Sequence, residues 1–453
     1  MYNWFLLALT IIFTIIVAKL ILKKYNAIFV FFASGVIILM SASLLTGTSI
    51  LGKDTLGNVF LDAFGFITKT FKSNIAGIGT IIMVVTGYAE YMKHIQASTK
   101  LAFLVGKPLG KIKNKYLILS GFFLVGMALK LVLTSQASLA VLMLATVFPV
   151  LMVLEISPMT GASVLALLCL DYGPNDGSTL FMSTVAKMNV VDLFLQYQIK
   201  VALCIILTTA VLIPFYYRYM DRKDQKTRPF NAVDYTKLKD PDVPSFYVLL
   251  PLLPLIIVFV NYFVSPIKID VITANIIGFA VTFSIEFIRR SDRSEIPTDM
   301  VVILKAMGNI FASVVTIIIS SSVFAEGIKV LGGITIFTNM ISGIQSAALV
   351  VMILLTGITY VFAVIMGSGA ASFFAFGPLT PEIAAKLGVP TLTLLLPMEL
   401  ATSIGRASSP VCGALIAIAG VAGVTPMALA KLTAPLLFIM LLVNMVASYI
   451  FTI

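Results

Sequence analysis

The chain has 453 residues, of which 59% are apolar types and only 11% are charged, with a formal net charge of +11. An ordinary soluble domain carries about 25% charged and about 45–50% apolar residues, so a water-facing surface cannot be covered here, and a soluble globular enzyme, a disordered chain and a disulfide scaffold are excluded. The basic excess sits in short gaps between apolar runs; it reads as anchoring against anionic lipid on the cytoplasmic side, not as a nucleic-acid-binding face.

From the N-terminus, apolar runs cover approximately 2–22, 27–51, 73–91, 116–133, 139–154, 158–188, 196–217, 245–264, 269–288, 310–330, 347–366, 372–386, 388–422 and 432–452. A helix needs about 20 such residues to cross roughly 30 Å of hydrocarbon. Several runs are too short, or too broken by Gly, Pro and Ser, to be plain spans. The first run is too long for a signal-peptide core and lacks a basic start and a small-residue cleavage site, so it reads as a first span. The single histidine, His94, stands in a Lys-rich gap as a surface residue. Glu90 with Lys93, and Glu326 with Lys329, read as i,i+3 ion pairs at the membrane edge. Lys130, inside an apolar arm, is expected to snorkel outward. Cys169, Cys204 and Cys412 lie in apolar segments without metal-site spacing.

The polar stretch 218–244 reads as a cytoplasmic linker between two halves, 1–217 and 245–453, that share a plan. Each opens with three apolar runs and a short mixed segment, 92–115 or 331–346. An apolar pair follows, near 116–154 or 347–386, meeting at a polar tip: Thr134-Ser-Gln-Ala-Ser138 or Gly367-Ser-Gly-Ala-Ala-Ser372. Then comes a long run, 158–188 or 388–422, interrupted at Asp171-Tyr-Gly-Pro-Asn-Asp-Gly-Ser-Thr179 or at Ser403-Ile-Gly-Arg-Ala-Ser-Ser-Pro410, and one last span. An offset of 232 superposes Pro149 on Pro381, Pro158 on Pro390 and Gly173 on Gly405; an offset of 236 superposes Ala89-Glu90 and Lys93 on Ala325-Glu326 and Lys329.

If each apolar pair is a re-entrant hairpin, each half has five spans, an odd number, and the second half is inverted. With Lys23 and Lys24 inside, the gap 93–115, the linker and the group Arg289, Arg290, Arg293 and Lys305 also fall inside, together 19 of the 31 basic residues. The positive-inside rule is then obeyed and both termini are periplasmic. The expected fold is an all-α polytopic membrane protein of two inverted repeats, with about ten transmembrane helices, two re-entrant hairpins and two interrupted helices.

Two tips and two interruptions give four stretches of unwound backbone, whose free N–H and C=O groups need partners in a membrane. Helix N-termini attract carboxylates, while carbonyls and hydroxyls coordinate cations. Ser409-Pro410 reads as an N-cap with Pro at the first helical position. Arg406, just before it, costs roughly 2.5–3.5 kcal/mol at a helix centre. Such a charge is kept for a partner, either an anionic substrate or Glu399, seven residues earlier on a similar helix face. Asn175 or Asp176 is placed to cap a helix starting near Ser178 and Thr179. Asp171 and Asp176 are acids at membrane depth, suited to a coupling cation or proton or to capping alone. The tips offer the hydroxyls of Ser135, Ser138, Ser368 and Ser372, residues that elsewhere in membranes serve as packing glue.

The segments Thr86-Gly-Tyr-Ala-Glu-Tyr-Met-Lys-His-Ile95, Ala145-Thr-Val-Phe-Pro149, Gly367-Ser-Gly369 and Leu400 to Lys431 resemble the DcuC family of anaerobic four-carbon dicarboxylate carriers over nearly the whole chain. The core GR-x-x-SPV-x-G followed by AG-x-x-G-x-x-P carries most of the likeness. The resemblance implies transport of succinate, fumarate, malate or aspartate across a bacterial inner membrane. It also implies the broader ion transporter superfamily, with inverted repeats, elevator-type motion and a homodimer. By that analogy Gly367, Ser368, Gly369, Gly405, Arg406, Ser408 and Ser409 belong to the substrate region. The acidic run 171–176 and Glu399 depart from the family pattern.

The expected substrate-binding set is thus Arg406, Gly405, Ser403, Ser408, Ser409, Gly367, Ser368, Gly369, Ser135, Ser138, Asn175, Ser178 and Thr179. Asp171 and Asp176 are the coupling-ion candidates, for Na+ or H+, and no other cofactor is called for. The rival readings are a cation-coupled carrier of another small organic anion, a sodium/proton antiporter, a channel, and an intramembrane enzyme. For the last, the chain has no HExxH motif, no GxGD pattern and no intramembrane Ser–His pair.

Overall fold

The computed structural model describes residues 2–23, 25–46, 50–51, 54–106, 114–136, 139–140, 143, 151, 156–224, 241–264, 269–332 and 347–453. Most of the arm 139–154, of the linker and of the segment 331–346, together with Ser138, lies outside them. Among the described residues all regular structure is helical. The first half contains α1 (Tyr2–Leu22), α2 (Ala27–Thr46), α3 (Val59–Asn74), α4 (Thr80–His94), α5 (Ala97–Gly106), α6 (Lys115–Lys130), α7 (Pro158–Ala166), α8 (Gly177–Ala186), α9 (Val190–Leu193) and α10 (Ile199–Asp224). The second contains α11 (Leu253–Val264), α12 (Val271–Arg289), α13 (Ile296–Ile310), α14 (Thr316–Val330), α15 (Ala347–Met366), α16 (Gly369–Phe376), α17 (Thr380–Leu387), α18 (Thr391–Ala407), α19 (Gly413–Ala422) and α20 (Pro426–Thr452).

Among the described residues seven helical stretches are long and apolar enough to cross a membrane: Ala27–Leu45, Phe60–His94, Val190–Asp221, Val271–Arg289, Arg293–Val330, Ala347–Met366 and Pro426–Thr452. Shorter apolar helices include Tyr116–Lys130 and Leu253–Val264. Side chains such as Phe29, Phe215, Phe263 and Ile288 are exposed, as expected of a surface that meets lipid tails. Local signals set many of the helix starts. Asn58 accepts from the N–H groups of Phe60 and Leu61, and Ser157 and Thr425 each cap a helix that opens on proline.

Among the described residues three of these stretches contain π turns, at Ile75–Gly79, Phe194–Gln198 and Phe311–Val315, and in the first the helix kinks at Gly77. The first and third touch: a Cβ on Gly79 would stand 2.9 Å from Val315 Cγ1. Helix α2 lies against α14, and α4 against α12 and α13. The α2–α14 approach needs small residues on both sides. A Cβ on Gly35 would meet the Phe324 backbone N at 2.7 Å, and one on Gly327 would meet Ile38 Cγ2 at 2.9 Å. At the centre lies α18, wedged between α15 and α20 and buried along nearly its whole length, with Glu399 and Arg406 on it.

A candidate substrate site between the two halves

Both expected interruptions are present. After α7 the chain leaves the helix at Leu167 and re-enters at Gly177, turning through Gly173 at φ +110. Asp176 is the N-cap of α8, accepting from Ser178 N at 2.8 Å and Thr179 N at 3.2 Å. The second break falls later than expected. Helix α18 continues through Ala407, and the gap spans Ser408 to Cys412. Ser409-Pro410 does not start a helix, which corrects the sequence expectation. Cys412 N donates to Ser409 O at 3.2 Å, so Pro410 takes the second position of a tight turn, where its fixed φ is equally well suited. Helix α19 then opens at Gly413 with no side-chain cap, and α16 opens behind Ser368 in the same way.

The Arg406 guanidinium joins the two halves. Its Nη1 and Nη2 donate to the two oxygens of Asp171 at 2.9 and 3.0 Å, Nη2 also to Cys169 O at 3.1 Å, and Nε to Gln136 Oε1 at 2.8 Å. Its partner within the chain is therefore Asp171, not Glu399. Lys130 does not snorkel: its side chain is fully buried and its amine donates to Asp171 Oδ1 at 2.8 Å and to Thr134 O. A buried ammonium is tolerated when it is paired and hydrogen-bonded in this way: the turn after α6 supplies the Thr134 carbonyl, and the break after α7 supplies Asp171.

Below this cluster the π turn at 194–198 aims Gln198 inward. Its Nε2 donates to Thr179 Oγ1 at 2.8 Å and lies 3.4 Å from Glu399 Oε2, while its Oε1 accepts from Gly173 N at 3.1 Å. Glu399 is fully buried, and its Oε1 has no hydrogen-bond partner among the described residues. π turns are frequent at functional sites because they re-aim a side chain.

A cavity of about 610 Å³ opens beside the cluster. Of the residues singled out in the sequence, Ser135, Asp171, Asn175, Asp176, Ser178, Gly367 and Arg406 line it. The cavity wall also includes Gln136, the uncapped start of α19 at Cys412 and Gly413, and Val85, Glu90 and Lys93 of α4 with Val314. Asn175 Oδ1 is buried without a partner among the described residues.

The remaining predicted residues stand behind the wall. Gly405 lets α18 touch α15, where a Cβ would fall 2.6 Å from Tyr360 O. Gly369 seats its tip on α18, 2.8 Å from Thr402 O on the same measure. Ser403 bonds back to its own helix, Ser408 joins Ile404 O and the Tyr360 hydroxyl, Ser409 accepts from Val411 N, and Ser368 is exposed at the head of α16. Thr179 is sequestered by Asp176 and Gln198. Lys130, Gln136 and Gln198 were not among the predicted site residues. A lysine in an apolar arm and a glutamine at a tip are the available signals; Gln198, between Gln196 and Lys200 at the polar start of its run, has nothing local that sets it apart from them.

The expected ion pairs form: Lys93 with Glu90 at 3.0 Å and Lys329 with Glu326 at 3.4 Å. His94 is partly exposed and reaches Asp299 at 2.9 Å.

A multi-span helical bundle with a cavity walled by broken helices from both halves of the chain defines a polytopic membrane transporter. The family described as C4-dicarboxylate anaerobic carrier, DcuC, matches residues 5–452, and the chain belongs to that family. Its function is thus transport and not enzymatic catalysis. It is 29% identical over 432 residues, 94% of each chain, to the probable anaerobic C4-dicarboxylate transporter DcuC of Vibrio cholerae. It is 28% identical to the anaerobic C4-dicarboxylate transporter DcuC of Escherichia coli K12 over 95% of this chain and 94% of that one. The crystal structure of the Alcanivorax borkumensis YdaH transporter shares its fold, with a TM-score of 0.57 at 12% identity over 98% of this chain and 97% of that one.

Proposed function

We propose that the protein is a secondary active carrier of small dicarboxylates such as succinate, fumarate, malate and aspartate in a bacterial inner membrane. The observation that carries this reading is the two-pronged grip of Arg406 on a carboxylate, Asp171, at the wall of a cavity built by both halves. The same fork fits a substrate carboxylate, since guanidinium and carboxylate match edge to edge. The second carboxylate of a four-carbon dianion is met by the start of α19 at the cavity wall, whose N–H groups have no side-chain cap. The start of α8 is less suitable, because Asp176 already holds its N–H groups. Arg406, Ser135, Asn175, Ser178 and Gly367 then touch substrate. Gly405, Ser403, Ser408, Ser409, Ser368, Gly369 and Thr179 shape the backbone that holds them. Asp176 remains a candidate for coupling to Na+ or H+.

The architecture assigned to this function is two inverted repeats, 1–217 and 245–453, each with five spans, a re-entrant hairpin and an interrupted helix, joined by a cytoplasmic linker. The π turns support it: 75–79 and 311–315 are related by 236 positions, the offset that relates Glu90 and Lys93 to Glu326 and Lys329. The reciprocal seating of α2 on α14 and of α4 on α12 and α13 supports it as well. The first three spans of each half form the scaffold, a homodimer steadies it, and the hairpins with the broken helices ride past it. With both termini periplasmic, Lys93 is on the cytoplasmic side; the cavity reaches Lys93, so the conformation is inward-facing.

The test is counterflow in proteoliposomes preloaded with unlabelled succinate. Labelled succinate should accumulate transiently, and fumarate, malate and aspartate should compete while monocarboxylates do not. Competition by other anions only, or sodium/proton exchange with no organic substrate, would replace this reading with one of its rivals.

A further inference from the structure

The carboxylate held by Arg406 belongs to the protein itself. Both oxygens of Asp171 are engaged by the guanidinium, the arrangement a bound substrate would adopt. The cations around Asp171 are not equivalent. The Lys130 side chain is wholly buried behind it, whereas the side chains of Arg406 and Asp171 keep 18% and 11% of their surface exposed and both line the cavity. A substrate entering the cavity can therefore reach the guanidinium but not the ammonium. If it takes Arg406, Asp171 still keeps Lys130 at 2.8 Å. Asp171 and Arg406 also both lie at the broken helices, so the pair travels together when that unit moves.

Resting on the reading above, we propose that Asp171 is the internal counter-ion of the empty carrier. Without substrate it occupies the Arg406 fork and neutralises it, so the unloaded site can cross the membrane. On loading, the substrate carboxylate displaces it onto Lys130. An unpaired guanidinium at membrane depth is strongly disfavoured, so a carrier lacking this carboxylate binds substrate well but returns empty only slowly. Asp171 in this role sets the balance between exchange and net flux.

The experiment uses Asp171→Asn and, because Lys130 would then lack its partner, the double variant Lys130→Met/Asp171→Asn. Succinate binding to the purified protein, exchange into succinate-loaded proteoliposomes, and net uptake into empty ones are measured for each and for the wild type. The counter-ion role predicts, in at least one folded variant, a Kd for succinate lowered about fivefold or more, exchange within about threefold of wild type, and net uptake reduced about tenfold or more. Unchanged or weaker binding would overturn the proposal, and weaker binding joined to a selective loss of net uptake would make Asp171 a ligand of the coupling ion instead. Equal losses of exchange and net uptake, or failure of both variants to fold, would make Asp171 structural and overturn it too. A wild type without any succinate exchange would instead remove the dicarboxylate reading, and this inference with it.

Discussion

Lys130 carries more of the fold than its place in an apolar arm suggests. Its fully buried amine ties the end of α6 to Asp171 across 41 positions of sequence. Breaking a buried ion pair by removing one partner costs about 3–5 kcal/mol, and Asp171 keeps Arg406, so Lys130→Met should cost about 3 kcal/mol or less. The measurement is the shift of the thermal unfolding midpoint in detergent, and a midpoint equal to wild type would contradict the pairing. Gln198 bridges Gly173, Thr179 and Glu399. Gln198→Leu leaves the buried N–H of Gly173 unpaired, a loss of about 1–3 kcal/mol, and the same unfolding assay should register it. At this scale the sequence was partly legible. Arg406 and Asp171 announced themselves as charges in apolar runs, and Asp176 as a cap, because each of those signals is local. That Arg406 meets Asp171, 235 positions away, is a tertiary fact that no spacing encodes.

Among the elements, close helix approach depends on residues without side chains. Gly35→Ala would drive a Cβ into the Phe324 backbone at 2.7 Å, whereas at Gly308, in the last turns of α13, nothing stands within 4 Å. Overpacking costs about 1–3 kcal/mol, and replacing a helical glycine by alanine in open space gains about 0.5–1 kcal/mol. Gly35→Ala should therefore lower the unfolding midpoint and Gly308→Ala should hold or raise it; the reverse order would show that α2 and α14 do not meet at this point. Helix starts marked by Asn58, Ser157 and Thr425 follow from the sequence because caps are chemical signals within one turn. The π turns are less legible: 75–79 carries one local signal, Gly77, which leaves the helical range, whereas 311–315 has no cap, glycine or charge to mark it. Ser409-Pro410 misled for a physical reason: proline's fixed φ suits a tight turn as well as a helix start.

For the whole molecule, composition alone demanded a membrane, and among the described residues seven long apolar stretches appear as spans. What composition could not give is the convergence of both halves on one cavity, which depends on how the helices cross. Orientation is open to a direct check: alkaline phosphatase fused after residue 453 should be active outside the cytoplasm, and the same reporter fused within the linker should be silent. The central claim is that Arg406 grips the dicarboxylate in that cavity. Labelled-succinate counterflow by Arg406→Ala, purified, folded and reconstituted beside the wild type, tests it most directly. Losing a charge-assisted two-pronged contact worth about 3 kcal/mol or more should reduce transport at least about a hundredfold, whereas counterflow at the wild-type rate would place the substrate elsewhere.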